Sequence, residues 1–147
     1  MAILRPTAYP IPLIGWREDV HLPDLGEAVL VAKIDTGARS AALHAENIEV
    51  KGQSVGFALD LEKGRVHFNV ALAGIKKIQS SNGHCEMRPV IETRGAIGNH
   101  EFILEISLTN RTDMGVPMLL GRNAMKGHFV VHPGRSFILS RRKKKLK

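Results

Sequence analysis

Asp35-Thr36-Gly37-Ala38 stands directly after the apolar run Ala28 to Ile34. This order puts a carboxylate on a sharp turn leaving a strand whose composition calls for burial. An unpaired charge in such surroundings costs several kcal/mol or shifts its pKa, and the chemistry that would justify the cost is proton transfer to and from water. The plain alternative is a surface turn, for which Asp, Thr and Gly are ordinary residues. A second apolar run, Val116 to Leu120, opens into another glycine turn, Gly121-Arg122-Asn123.

Other chemistry finds less support. The histidines are scattered at 21, 44, 67, 84, 100, 128 and 132, without a His-Glu-x-x-His. Only His84-Cys85 joins two soft ligands, and neighbours on a strand point to opposite faces, whereas zinc sites gather three or four ligands. No metal is expected. The chain lacks Gly-x-x-x-x-Gly-Lys-Ser/Thr, so no nucleotide or other cofactor is expected either. Cys85, the one cysteine, reads as inert packing more readily than as a nucleophile. It rules out an intrachain disulfide framework and fits a reducing cytoplasm.

Arg141 to Lys145 and Lys147 carry six of the +7 formal charges, leaving +1 for residues 1–140. The expectation is one domain over 1–140 and a mobile basic tail over 141–147. Such a tail holds phosphate or carboxylate polymers, nucleic acid included, only nonspecifically, or serves solubility alone. No stretch approaches the roughly 20 apolar residues of a membrane span. Arg5, Pro6, Pro10 and Pro12 interrupt the start where a secretory signal needs an unbroken apolar core.

The elements that must position Asp35 read as strands. Val55, Phe57 and Leu59, then Val66, Phe68, Val70 and Leu72, then Phe102, Leu104, Ile106 and Leu108 alternate with a period of two. Turn residues separate these runs, which predicts an all-β architecture. Residues 73–84 read as a loop, Val90 and Ile91 begin a strand, and Phe129 to Val131 and Phe137 to Leu139 flank a Pro-Gly turn. One helical turn is expected near 122–126, ended by Gly127.

The two glycine turns together resemble the retropepsin-like aspartic peptidases. Nearly the whole chain is similar to a bacterial family of small proteins labelled both ATP-dependent zinc protease and retropepsin-like aspartic endopeptidase. The resemblance rests on Ile14-Gly-Trp-Arg-Glu, Leu22-Pro-Asp-Leu-Gly, Lys33-Ile-Asp-Thr-Gly-Ala-Arg, Ala42-Leu-His-Ala, Ser80-Ser-Asn-Gly-His, Leu108-Thr-Asn-Arg, Asp113-Met-Gly, Met118-Leu-Leu-Gly-Arg and Pro133-Gly-Arg-Ser-Phe. The chain departs from it at Ser40-Ala41, where members carry Thr-Ser, and at His132, where Asp is expected. Arg39 replaces the acidic residue that pairs, in retropepsins, with the arginine matched by Arg122.

The resemblance implies a closed retropepsin-like β-barrel and a homodimer in which Asp35 of each chain meets its mate across a twofold axis. Two close carboxylates share one proton, so one acts as base toward water and the other as acid. Thr36 would tie the turns together, and Gly37 would allow the close backbone approach. A monomeric site would need a second carboxylate from within, for which Asp113 is the best local candidate, although it reads more readily as a turn former. The resemblance puts Ala38, Arg39, His84 and Arg122 at the substrate, and residues 74–84, with Lys76 and Lys77, where retropepsins have a flap. Arginine recognises carboxylates bidentately, which suggests an acidic peptide, although Arg39 could instead pair with Glu46 or Glu49. The family's association with a glutamate ligase makes an oligoglutamate tail on a ribosomal protein the sharpest substrate. A noncatalytic β-barrel module for an acidic or ribosomal partner and a zinc metallopeptidase are the alternatives.

Overall fold

A computed structural model describes residues 11–79 and 83–140. The strands are β1 (Leu13–Gly15), β2 (Arg17–Leu22), β3 (Ala28–Ile34), β4 (Ala41–His44), β5 (Glu46–Lys51), β6 (Ser54–Leu61), β7 (Gly64–Ala71) and β8 (Gly74–Gln79). They continue with β9 (Cys85–Ile97), β10 (His100–Thr109), β11 (Met118–Leu120) and β12 (Val130–His132). The α-helix α1 (Arg122–Met125) occupies the expected place, and Gly127 follows it with φ 81°. A 3-10 turn, Thr112–Met114, ends at Gly115, whose φ of 79° suits glycine.

The barrel closes through the order β9-β10-β4-β11-β3-β2 and back to β9, which pairs antiparallel with both β10 and β2. Closure removes the exposed edges that an open sheet would leave. The alternating residues Phe102, Leu104, Ile106 and Leu108 all point into the core, as do Val20, Leu22, Ala32 and Ile34. The separate sheet β5-β6-β7 packs Val55, Phe57 and Leu59 into the same core, with Phe57 stacked at 5.6 Å on Phe68.

Two expectations change, at 74–79 and 137–139, and one strand was not foreseen. Gly74–Gln79 is a strand, because it pairs with the extended start of β9, from Gln79↔Cys85 to Gly74↔Val90; its polar sequence hid a hairpin stabilised by backbone pairing. Ala41–His44 is also a strand, too short to show a period but seated between β10 and β11. Residues 137–139 form no strand. Instead the backbone N–H groups of Ile138, Leu139 and Ser140 turn inward onto the buried carboxylate of Glu18 at 2.8, 3.1 and 2.9 Å. The basic run 141–147 and residues 80–82 lie outside the described residues.

Candidate active site at the Asp35 turn

Strands β3 and β11 run parallel, side by side, with Leu120 beside Ile34. Both glycine turns therefore leave the barrel at one place. The chain from Asp35 to Ser40 crosses the end of β11 to begin β4 on its other side. Asp35 donates its N–H to the Leu120 carbonyl at 2.9 Å, while Arg122 and Asn123 donate theirs to the Ala38 and Arg39 carbonyls, each at 2.9 Å. Gly121 lies beneath this crossing. A Cβ there would stand 2.4 Å from the Ser40 carbonyl oxygen and 2.8 Å from that of Ala38, so only glycine fits.

The carboxylate is held by its own turn, with Gly37 donating its N–H to Asp35 Oδ1 at 3.0 Å. A side chain at Gly37 would crowd that oxygen at 3.3 Å. Asp35 itself is half-buried, and Thr36 and Gly37 are exposed. The cost of a fully buried charge expected from the sequence is thus not present in the single chain, because the turn leaves one side open to water.

Asp35, Thr36, Gly37, Ala38, Arg39 and Arg122 are joined in this cluster. Arg122 finds a substitute for its missing acidic partner, donating from Nη1 to the Thr36 carbonyl at 2.9 Å. Arg39 is exposed and pairs with neither glutamate considered for it: Glu46 is taken by Arg65 and His44, and Glu49 by Lys51. His84 is exposed and belongs to the β8–β9 hairpin, just before Cys85, which is also exposed rather than packed. Lys76 on that hairpin reaches back to Glu105 of β10 at 2.5 Å. Asp113 is bound to Arg111 at 3.1 Å; the hydrogen bond from that guanidinium holds its carboxyl below the usual range, in keeping with a turn role.

Among the described residues, no three His, Cys, Asp or Glu side chains converge as a metal site would require. A pocket of about 340 Å³ lies elsewhere, lined by His21, Pro23, Arg94, Ala96 and Phe102 among others. The sequence reading missed Glu18, whose motif it quoted without a role. Glu18 is fully buried and also accepts from Gly15 N–H at 2.7 Å and the Ser140 hydroxyl at 2.6 Å. Burial pushes its carboxyl up, but these bonds outweigh it and hold the group below its ordinary value.

Against known protein families, residues 13–142 match the model described as RimB-like, retropepsin-like aspartic endopeptidase RimB. The chain belongs to this family. It is 37% identical over 135 residues to a probable alpha-L-glutamate ligase of Shewanella halifaxensis, covering 86% of this chain and 30% of that protein. A protein of the same description from Parasynechococcus marenigrum is 32% identical over 129 residues, with 82% and 28% covered. The chain thus spans less than a third of the length of the curated relatives it matches. The crystal structure of Lpg0085 from Legionella pneumophila, a protein with unknown function (DUF785), is similar with a TM-score of 0.73 and 30% identity, over 87% of this chain and 98% of that one.

Proposed function

We propose that the protein is an aspartic endopeptidase acting in the cytoplasm on acidic peptides, with oligoglutamate tails of a ribosomal protein as the sharpest candidate. The observation that carries this reading is the Asp35 turn: its carboxylate is fixed by Gly37, braced by Gly121 and Arg122, and open on one side. One carboxylate is half of the couple that amide hydrolysis requires. A second copy supplies the other across a twofold axis. Water attacks the scissile carbonyl, one Asp35 takes its proton, and the other, initially protonated, gives a proton to the leaving amine. Thr36 lies exposed where it could tie the paired turns. Ala38, Arg39 and Arg122 border the substrate, and His84 reaches it from the hairpin.

The relatives named as glutamate ligases support glutamate-rich substrates, since a peptidase suited to such chains belongs beside the activity that builds them. The same finding favours a second reading, a noncatalytic module that docks on an acidic or ribosomal partner. The deciding experiment compares wild type with Asp35→Asn on a glutamate-rich peptide. The peptidase reading expects turnover to vanish with binding retained; an Asp35→Asn protein that still cleaves would overturn it.

A further inference from the structure

On the outer face of the barrel, Arg17 of β2 stands directly opposite Lys33 of β3. Like charges placed so repel each other and weaken a sheet. Neither side chain forms an ion pair among the described residues; Asp19, next on that face of β2, is registered against Val31 instead. The Arg17 guanidinium is held over Trp16, 4.3 Å from the ring centroid, and lies 5.5 Å from that of Phe137. Its Nε is buried without an acceptor among the described residues. A cation held against aromatic rings keeps its planar fork oriented, which suits a carboxylate better than a freely swinging charge does.

The pair is also tied to the end of the strand that carries Asp35. Ile34 donates its N–H to the Trp16 carbonyl at 2.8 Å, so the residue before Asp35 is tied to the residue before Arg17. Lys33 precedes Asp35 by two residues, about 7 Å along an extended chain, which is also the spacing between same-side side chains of an extended peptide.

We propose that Arg17 and Lys33 form a subsite for a substrate carboxylate, one side-chain repeat away from the bond presented to Asp35. This rests on the acidic-substrate reading above and assigns that preference to two further residues. Lys33, exposed on the strand, contributes the accessible charge. Arg17 contributes the oriented terminal nitrogens.

Trp16, the chain's one tryptophan, reports on the site without turnover. Tetraglutamate titrated into the full-length Asp35→Asn protein should change Trp16 emission saturably, and tetraglutamine should not. Lys33→Gln should weaken the tetraglutamate response about tenfold, the scale of one charge-assisted contact, and Lys33→Glu should abolish it. Arg17→Lys, which keeps the charge and loses the planar stack, should also weaken it. An unchanged affinity in Lys33→Glu, or an equal response to tetraglutamine, overturns the subsite. If hydrolysis by the wild type nonetheless depends on Asp35, the peptidase reading survives that failure. Conversely, hydrolysis that persists in Asp35→Asn overturns the peptidase reading while a Lys33-dependent titration upholds the subsite.

Discussion

At Gly121 the backbone of one turn rests on the backbone of the other, with the Ser40 and Ala38 carbonyls filling the space of a side chain. Neither carbonyl is a flexible group that can swing aside. Gly121→Ala should therefore lower stability by about 2–3 kcal/mol through overpacking, read from urea midpoints. On the proposed peptidase reading, it should also cut turnover roughly 100-fold by displacing Asp35. Glu18 shows the opposite use of a charged residue, since its buried carboxylate serves structure. Glu18→Gln should cost about 3 kcal/mol at neutral pH, because it weakens charge-assisted bonds to several backbone donors. The native carboxyl lies below its unfolded value, so its contribution is present above the ordinary glutamate range and is lost as pH falls through the native value. The gap between wild type and Glu18→Gln should accordingly close below about pH 4, measured by denaturation across pH.

Among the elements, β11 is short yet flanked by β3 and β4, whereas β8, among the described residues, pairs only with β9 and ends the sheet order. Hydrogen exchange should separate them. The amides of Met118–Leu120 should exchange only with global opening, and those of Gly74–Gln79 orders of magnitude faster, as for an edge with fewer buried contacts. Comparable protection in both would show that the hairpin is pinned more firmly than its pairing indicates. The β9–β10 turn carries another coupling: His100 of β10 lies 3.2 Å from His128 and edge-on to Phe129 at 4.8 Å. Burial, with the His128 charge, holds the His100 pKa below its ordinary value. Stability from this contact is therefore present above about pH 6.5 and lost as pH falls through the native value. Replacing His100 by Phe should flatten the decline in Tm between pH 7 and 5.

For the whole molecule, the proposed dyad makes activity depend on assembly. Turnover per chain should fall on dilution in step with the loss of dimer seen by sedimentation. A protein that stays monomeric and cleaves at full rate would need its second carboxylate from within the chain. Asp113 is poorly placed for that task because Arg111 already engages it. Near neutrality of residues 1–140 limits whole-molecule steering, so the proposed selectivity for acidic peptides would rest on local cations such as Arg39 and Lys33.

The all-β class, the alternating core faces of β6 and β10, the helical turn at Arg122 and the two glycine turns at Asp35 and Gly121 were legible in the chain itself. Each is written in local periodicity or in residue types with few conformational alternatives. The β8 hairpin, the bonding of Arg122 to Thr36, the burial of Glu18 against residues 138–140 and the meeting of Arg17 with Lys33 were decided only by tertiary structure. They depend on strand register and on groups as much as 122 positions apart, and a polar residue does not declare from its own neighbours which distant backbone will satisfy it.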